Sequence, residues 1–272
     1  MSNLFGIGTK PLFVIGGPCV IESEAICMEI ATTLKAACER LGLAYIFKAS
    51  FDKANRSSVA SFRGTSMESG LKLLRKIGDS LKIPVLTDVH ESDQPEIAAQ
   101  YVDVLQVPAF LARQTDLLLA CGRTGKPVNV KKGQFMSPQE MQLAVDKVRS
   151  AGDQQILLTE RGTFFGYNRL VNDFTGLAVM KAMGCPVVFD VTHSTQQPAG
   201  LGNKSGGNPQ YAPMLARAAV AAGVDGLFLE CHPEPCKALS DAATMLPLAQ
   251  VPALLEQLTQ LAKLRATWAS DN

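Results

Sequence analysis

Eight short, almost purely apolar segments, each followed by a stretch with helical spacing, constrain this chain more than any other feature. They fall at 12–15, 44–47, 84–87, 102–105, 128–130, 156–159, 187–189 and 227–229. Strands that alternate polar and apolar residues expose one face to water. Strands that do not are covered on both faces, as in parallel sheets flanked by helices. Eight strand-helix units in 272 residues lead to an α/β chain folded as a single (β/α)8 TIM barrel, one domain over 1–272. A doubly wound open sheet is the second choice. It fits less well because no Gly-x-Gly-x-x-Gly follows the first strand and no Gly-x-x-x-x-Gly-Lys-Ser/Thr occurs. The run Gly202-Asn203-Lys204-Ser205-Gly206-Gly207 lacks that spacing and reads as a flexible loop over the site.

Local signals agree with the alternation. Ser23 can cap a helix whose apolar positions Ile26, Ile30, Leu34, Ala37 and Leu41 keep a helical period until Gly42. Further helices are expected over 67–81, from Ser137-Pro138 to Ala151, and over 251–268.

Composition removes several function classes. Net charge is +1, so no overall field draws the chain to nucleic acid or to an anionic membrane, and any basic site must be local. No apolar run approaches the roughly 20 residues of a membrane span. The seven cysteines lack the dense spacing of a disulfide framework and, with no signal peptide evident, read as cytosolic thiols.

Polar residues cluster where the apolar segments stop. Cys19, Lys48, Asp88, His90, Gln106, Lys131, Glu160, Arg161, Asp190, His193 and Glu230 all sit at or just past those ends. In a barrel these ends share one face, where such folds place their chemistry. Six cations belong to that face: Lys48, Lys53, Arg56, Arg113, Lys131 and Arg161. They imply ligands with more than one phosphate or carboxylate group. The stretch 48–58, Lys-Ala-Ser-Phe-Asp-Lys-Ala-Asn-Arg-Ser-Ser, concentrates such donors in eleven residues.

A second group is Cys19, His193, Glu230 and Asp241. A thiol, an imidazole and two carboxylates suit Zn, Fe, Mn or Co and fit Mg or Ca badly. Residue types alone specify this set weakly, because a single cysteine is more often a small buried hydrophobe. Cys231 and Cys236 lack a second Cys/His pair and read as structural.

Several motifs together resemble the 3-deoxy-D-manno-octulosonate 8-phosphate synthases. They are Gly17-Pro18-Cys19, the 48–58 stretch, Phe110-Leu111-Ala112-Arg113-Gln114-Thr115-Asp116, Val128-Asn129-Val130-Lys131-Lys132-Gly133-Gln134-Phe135, Thr159-Glu160-Arg161-Gly162, Asp190-Val191-Thr192-His193-Ser194 and His232-Pro233-Glu234-Pro235. The most specific is Lys53-Ala54-Asn55-Arg56-Ser57-Ser58, where the related seven-carbon synthase of the shikimate pathway carries a Lys-Pro-Arg type motif.

The resemblance implies attack of C3 of phosphoenolpyruvate on the aldehyde of D-arabinose 5-phosphate, addition of water at C2, and loss of inorganic phosphate. The eight-carbon product serves lipopolysaccharide synthesis. By motif, Lys131, Arg113 and Arg161 bind the phosphate of phosphoenolpyruvate, while Lys48 and Lys53 lie near its carboxylate and the condensing centre. Asn55, Arg56 and Ser57 hold the pentose phosphate, and Asp88, His90 and Gln106 line the site. A cysteine in the first loop, here Cys19, marks the family's metal-dependent branch, so the resemblance assigns Cys19, His193, Glu230 and Asp241 as ligands of a divalent ion. It also implies a cytoplasmic homotetramer in which residues near Phe110 and Arg113 reach a neighbour's site. Erythrose 4-phosphate chemistry and a Schiff-base aldolase built on Lys131 are the enzymatic alternatives, and RNA binding by the basic loops is the non-enzymatic one.

Overall fold

The computed structural model describes residues 7, 9–54, 61–165, 168–198 and 206–268. Eight parallel strands form its centre. They are β1 (Phe13–Gly17), β2 (Ala44–Lys48), β3 (Val85–Asp88), β4 (Val104–Val107), β5 (Val128–Lys131), β6 (Ile156–Glu160), β7 (Val187–Asp190) and β8 (Gly226–His232). Each pairs with the next, and β1 also pairs with β8, Phe13 opposite Gly226 and Gly17 opposite Glu230. The sheet therefore closes, and the (β/α)8 barrel expected from the sequence is the fold.

The intervening helices are α1 (Glu24–Leu41), α2 (Met67–Leu81), α3 (Gln94–Ala98), α4 (Thr115–Arg123), α5 (Met141–Arg149), α6 (Thr175–Lys181), α7 (Ala212–Ala222) and α8 (Val251–Trp268). Ser23 Oγ accepts the Ile26 N–H at 3.2 Å and Gly42 closes α1 with φ 71°, a cap worth about 1 kcal/mol. Helix α5 starts later than Ser137. Ser137 and Glu140 exchange side-chain-to-backbone hydrogen bonds, and the first turn is tightened by bonds such as Met141 N–H to Pro138 O at 3.2 Å. The capping residues are as read, but regular α-geometry begins only after that turn.

Two layers of core follow from the period of two along each strand. Phe13, Ile15, Ala44, Ile46, Leu86, Val104, Leu157, Val188 and Phe228 fill the barrel interior. Their neighbours of opposite parity, such as Val14, Phe47, Val85, Leu105, Val130, Leu158 and Leu227, pack outward under the helices. The strands run one to three residues past the apolar segments, so the rim residues Lys48, Asp88, Lys131, Glu160 and Asp190 belong to the strands themselves. Among the described residues, no helix is long and apolar enough to cross a membrane.

Candidate active site

The same parity carries the interior upward into polar residues. Lys48 shares the face of Ile46, Asp88 that of Leu86, Gln106 that of Val104, Thr159 that of Leu157, Asp190 that of Val188, and Glu230 that of Phe228. All six are buried. Glu160 and Lys132 have the other parity, and they pair with each other at 3.5 Å, both 1% exposed. Glu160 therefore faces away from the barrel interior, at the rim but outside the site.

The first loop stays against β2, because the end of β1 meets that strand closely. A β-carbon on Gly17 would stand 1.9 Å from the Lys48 carbonyl oxygen, so glycine is needed there. Beyond it, Val20 bridges to Ser50, and the Cys19 carbonyl accepts the Lys48 ammonium at 2.8 Å.

Around Cys19 three of the four expected residues come together. One donor atom each from Cys19, Glu230 and Asp241 lies within 4.8 Å of the others. The thiol sulfur is 3.1 Å from Asp241 Oδ2 and 3.1 Å from Ser240 Oγ. His193 joins through the carboxylates, its Nε2 standing 3.6 Å from Glu230 Oε2 and 3.7 Å from Asp241 Oδ2. Its Nδ1 is turned to Asp190 Oδ2, 2.8 Å away though off the axis of a good hydrogen bond. A carboxylate behind one ring nitrogen orients the other, as behind metal-bound histidines. Glu230 Oε2 is buried without a hydrogen-bond partner while Oε1 takes the Lys48 ammonium at 2.5 Å.

These residues fit a divalent cation. Burial, then the Asp241 and Glu230 charges, push the Cys19 thiol well above its ordinary range. A cation among these donors reverses that balance, because it favours the thiolate and supplies the charge the crowded carboxylates want. Cys231 is buried and Cys236 exposed, and neither belongs to the group.

The cations tell a more restrained story than their number in the sequence. Lys48 is paired with Glu230, Lys53 lies 3.9 Å from Asp88, and Lys131 lies 2.6 Å from Asp190 and 3.5 Å above the centre of the Phe228 ring. Each buried lysine thus meets a carboxylate of the chain itself, which the reading of these cations as ligand-binding charges did not foresee. Burial lowers the Lys131 ammonium despite Asp190. Burial would also lower Lys53, but Cys19 and Asp88 hold it well above the usual lysine range. Arg161 keeps an unsatisfied donor: Nη2 gives a 2.5 Å bond to Gln196 Oε1, while Nη1 is buried without a partner.

Asp88 sits at the end of a buried polar chain. Ser50 Oγ donates to its Oδ2 at 2.7 Å and Gln106 Nε2 to its Oδ1 at 2.9 Å. Asn129 Nδ2 donates to Gln106 Oε1 at 2.8 Å, and Thr159 Oγ1 to Asn129 Oδ1 at 2.7 Å. Burial works against its charge, but Lys48, Lys53 and these donors hold Asp88 well below the usual carboxylate range. His90 packs edge-on to Phe51 at 6.0 Å, and burial lowers its pKa.

Not every expected residue converges. Arg113 is exposed just past the short turn Ala109–Leu111, where its carbonyl accepts the Lys147 ammonium at 3.1 Å. Asn55, Arg56 and Ser57 lie outside the described residues, as does most of the 202–207 loop. Gln196 was missed by sequence reading. It takes the Arg161 guanidinium and gives its amide to Asp241 Oδ1 at 3.4 Å, linking the cationic group to the metal-type group. Its nearness in sequence to His193 was the available signal. Asn129 and Thr159 carry no charge and offered none.

A protein-family model described as the DAHP synthetase I family matches residues 4–267. The chain belongs to that family. Among its relatives, a protein from Cyanothece sp. named 2-dehydro-3-deoxyphosphooctonate aldolase is 57% identical over 249 residues, 92% of this chain and 91% of the relative. A protein of the same name from Thioalkalivibrio sulfidiphilus is 56% identical over 251 residues, covering 92% and 90%. Another from Desulfotalea psychrophila is 51% identical over 263 residues, covering 97% and 92%. Coverage of this extent on both sides places the whole barrel, and not one motif, within the DAHP synthetase I family.

Proposed function

We propose that this DAHP synthetase I family member condenses phosphoenolpyruvate with D-arabinose 5-phosphate and water. The products are 3-deoxy-D-manno-octulosonate 8-phosphate and inorganic phosphate, in cytoplasmic supply of lipopolysaccharide synthesis. One catalytic barrel spans the chain, and the working form is a homotetramer in which Phe110, half exposed beside Phe164, and Arg113 face a neighbouring copy. The observation that carries this reading is the Arg161 guanidinium, buried at the barrel mouth with one donor unsatisfied, in a chain whose relatives bear the octulosonate aldolase name.

In this reading Arg161 and Lys131, with Arg113, grip the phosphate of phosphoenolpyruvate. Lys131 is already paired with Asp190 and Arg161 keeps an unsatisfied buried donor, so an incoming phosphate gives Lys131 a second anionic partner and fills the open donor of Arg161. Lys48 and Lys53 hold the carboxylate end and the condensing carbons. Asn55, Arg56 and Ser57 take the pentose phosphate. Fixing both substrates brings C3 and the aldehyde carbon into reach, and orientation of this kind supplies much of the rate. As the carbon–carbon bond forms, the aldehyde oxygen takes up a proton, and C2 becomes electron-poor and accepts water. The C2–O bond to phosphate then breaks. Asp88 stays ionised beside Lys53, and burial keeps His90 neutral at lower pH than usual, so the pair lines the site with a fixed charge and a proton acceptor. Cys19, His193, Glu230 and Asp241 would hold a divalent ion (Zn, Fe, Mn or Co), which when bound orients and polarises the aldehyde or acidifies the attacking water. Orientation is the favoured role.

Phosphate release measured side by side with arabinose 5-phosphate and erythrose 4-phosphate tests the substrate. Strong preference for the pentose is expected, and preference for erythrose 4-phosphate would replace this reading. Chelation should abolish activity and Mn, Co or Zn restore it, whereas full activity after rigorous metal removal would remove the metal from the proposal. Borohydride trapping of a carbonyl substrate on Lys131 would favour a Schiff-base aldolase instead.

A further inference from the structure

Glu22 stands three residues after Cys19 and immediately before Ser23, which caps α1. Its side chain is only 7% exposed and makes two long-range contacts. Oε1 accepts the backbone N–H of Leu239 at 3.0 Å. Oε2 lies 3.6 Å from His232 Nε2, a buried atom with no hydrogen-bond partner for which this carboxylate is the facing anion. His232 Nδ1 accepts the Glu234 N–H at 2.9 Å, so in the neutral ring Nε2 carries the proton and faces the carboxylate. His232 lies two residues beyond Glu230, and Leu239 two residues before Asp241.

We propose that Glu22 is a positioning residue for the Cys19, His193, Glu230 and Asp241 group, its one carboxylate tying together the three segments that carry Cys19, Glu230 and Asp241. The inference rests on the reading that this group takes a divalent ion. The geometry explains why a tie is needed. Glu230 is fixed by the barrel, because β8 is paired on both sides. Cys19 and Asp241 sit on irregular backbone, and Asp241 adopts the left-handed φ of 49° that side chains other than glycine rarely take. Such a conformation persists only where its surroundings hold it. Glu22, anchored at the start of an 18-residue helix, provides a rigid point from which both loops are held against β8. Outer groups that orient ligands in this way typically change metal affinity by about 10- to 100-fold when removed.

The test uses cobalt binding to metal-stripped full-length protein, measured against a competing chelator, with the sulfur-to-cobalt absorption band reporting the Cys19 bond. Glu22→Ala is expected to weaken cobalt binding by about tenfold or more and to diminish that band. Glu22→Gln, which keeps an oxygen for the Leu239 N–H, should lose less. The metal-free variants should unfold cooperatively near the parent temperature, while the rise in Tm that cobalt confers on the parent shrinks in Glu22→Ala. KM for phosphoenolpyruvate should move little, since Glu22 touches none of the phosphate-gripping cations. Parent-like affinity and absorption in folded Glu22→Ala would overturn the proposal. If Glu22→Ala does not fold, Glu22→Asp decides, its shortened reach leaving binding weakened if the proposal holds and unchanged if it does not. A parent chain that binds no cobalt at all would sink the metal reading itself, a result distinct from equal binding by parent and variant.

Discussion

Lys48 Nζ and Glu230 Oε1 meet at 2.5 Å, each side chain 1% exposed. The pair joins the candidate condensing centre to the candidate metal group, because the same carboxylate offers Oε2 to His193 at 3.6 Å. One oxygen neutralises a buried lysine and the other is left for the cluster. Burial opposes the Glu230 charge, and Lys48, His193 and Lys53 outweigh it, lowering its pKa to about 2.

Lys48→Met should therefore cost more than a lost contact. It leaves Glu230 buried without its principal counter-charge, a change worth about 3–5 kcal/mol of stability. Denaturant unfolding measures this. A loss below about 1 kcal/mol would mean that the pair contributes little and that the carboxylate is already balanced by other groups.

Cys19→Asn should fold and retain part of its activity without metal while losing its response to chelators. The substitution removes the thiol crowded by Asp241 and Glu230 and replaces it with a neutral donor and acceptor of similar size. Phosphate release in the presence and absence of chelator is the measurement. A folded but inactive variant under all metal conditions would count against the assignment to the metal-dependent branch.

Gln196→Ala should raise KM for phosphoenolpyruvate and weaken metal binding together, each by about tenfold, because one amide serves both Arg161 and Asp241. Steady-state kinetics and metal titration on the same preparation check this. An effect on only one of the two would show that the 3.4 Å contact to Asp241 carries no coupling.

Asp88 makes the fold sensitive to acid in a definite direction. Its pKa is depressed in the folded chain, so its contribution to stability is complete above its unfolded value of about 4 and is lost as pH falls through the folded value. Tm of the parent should therefore drop more steeply below about pH 4 than that of Asp88→Asn. Parallel Tm profiles would show that Asp88 is not a net stabilising charge.

Asn129→Leu should destabilise by about 2–3 kcal/mol, since it strands both Gln106 Oε1 and Thr159 Oγ1 inside the barrel, whereas Thr159→Val removes only the terminal donor and should cost about 1 kcal/mol. Equal losses would contradict a chain of donors directed at Asp88.

Much of this was legible in the residue order. Eight doubly covered strands with helices between them leave few closed arrangements, and short strands put every terminal polar residue at one rim. Ser23, Gly42 and Ser137-Pro138 announced helix ends because capping is satisfied within a few residues. Of the candidate ligands Cys19, His193, Glu230 and Asp241, the first, third and fourth come within 4.8 Å of one another, a convergence that resemblance suggested and spacing did not.

What tertiary structure alone decided is which charges face which. Glu160 and Arg161 are adjacent in the chain, yet Glu160, the last residue of β6, faces outward and pairs with Lys132, while Arg161, the first residue past the strand, turns to Gln196. The pairing of each buried lysine with a carboxylate, the Gln196 link and the Glu22 contacts with His232 and Leu239 join residues up to 217 positions apart. Hydrogen bonds and ion pairs reach only a few ångströms, so such partners become known once the barrel closes and brings its loops together.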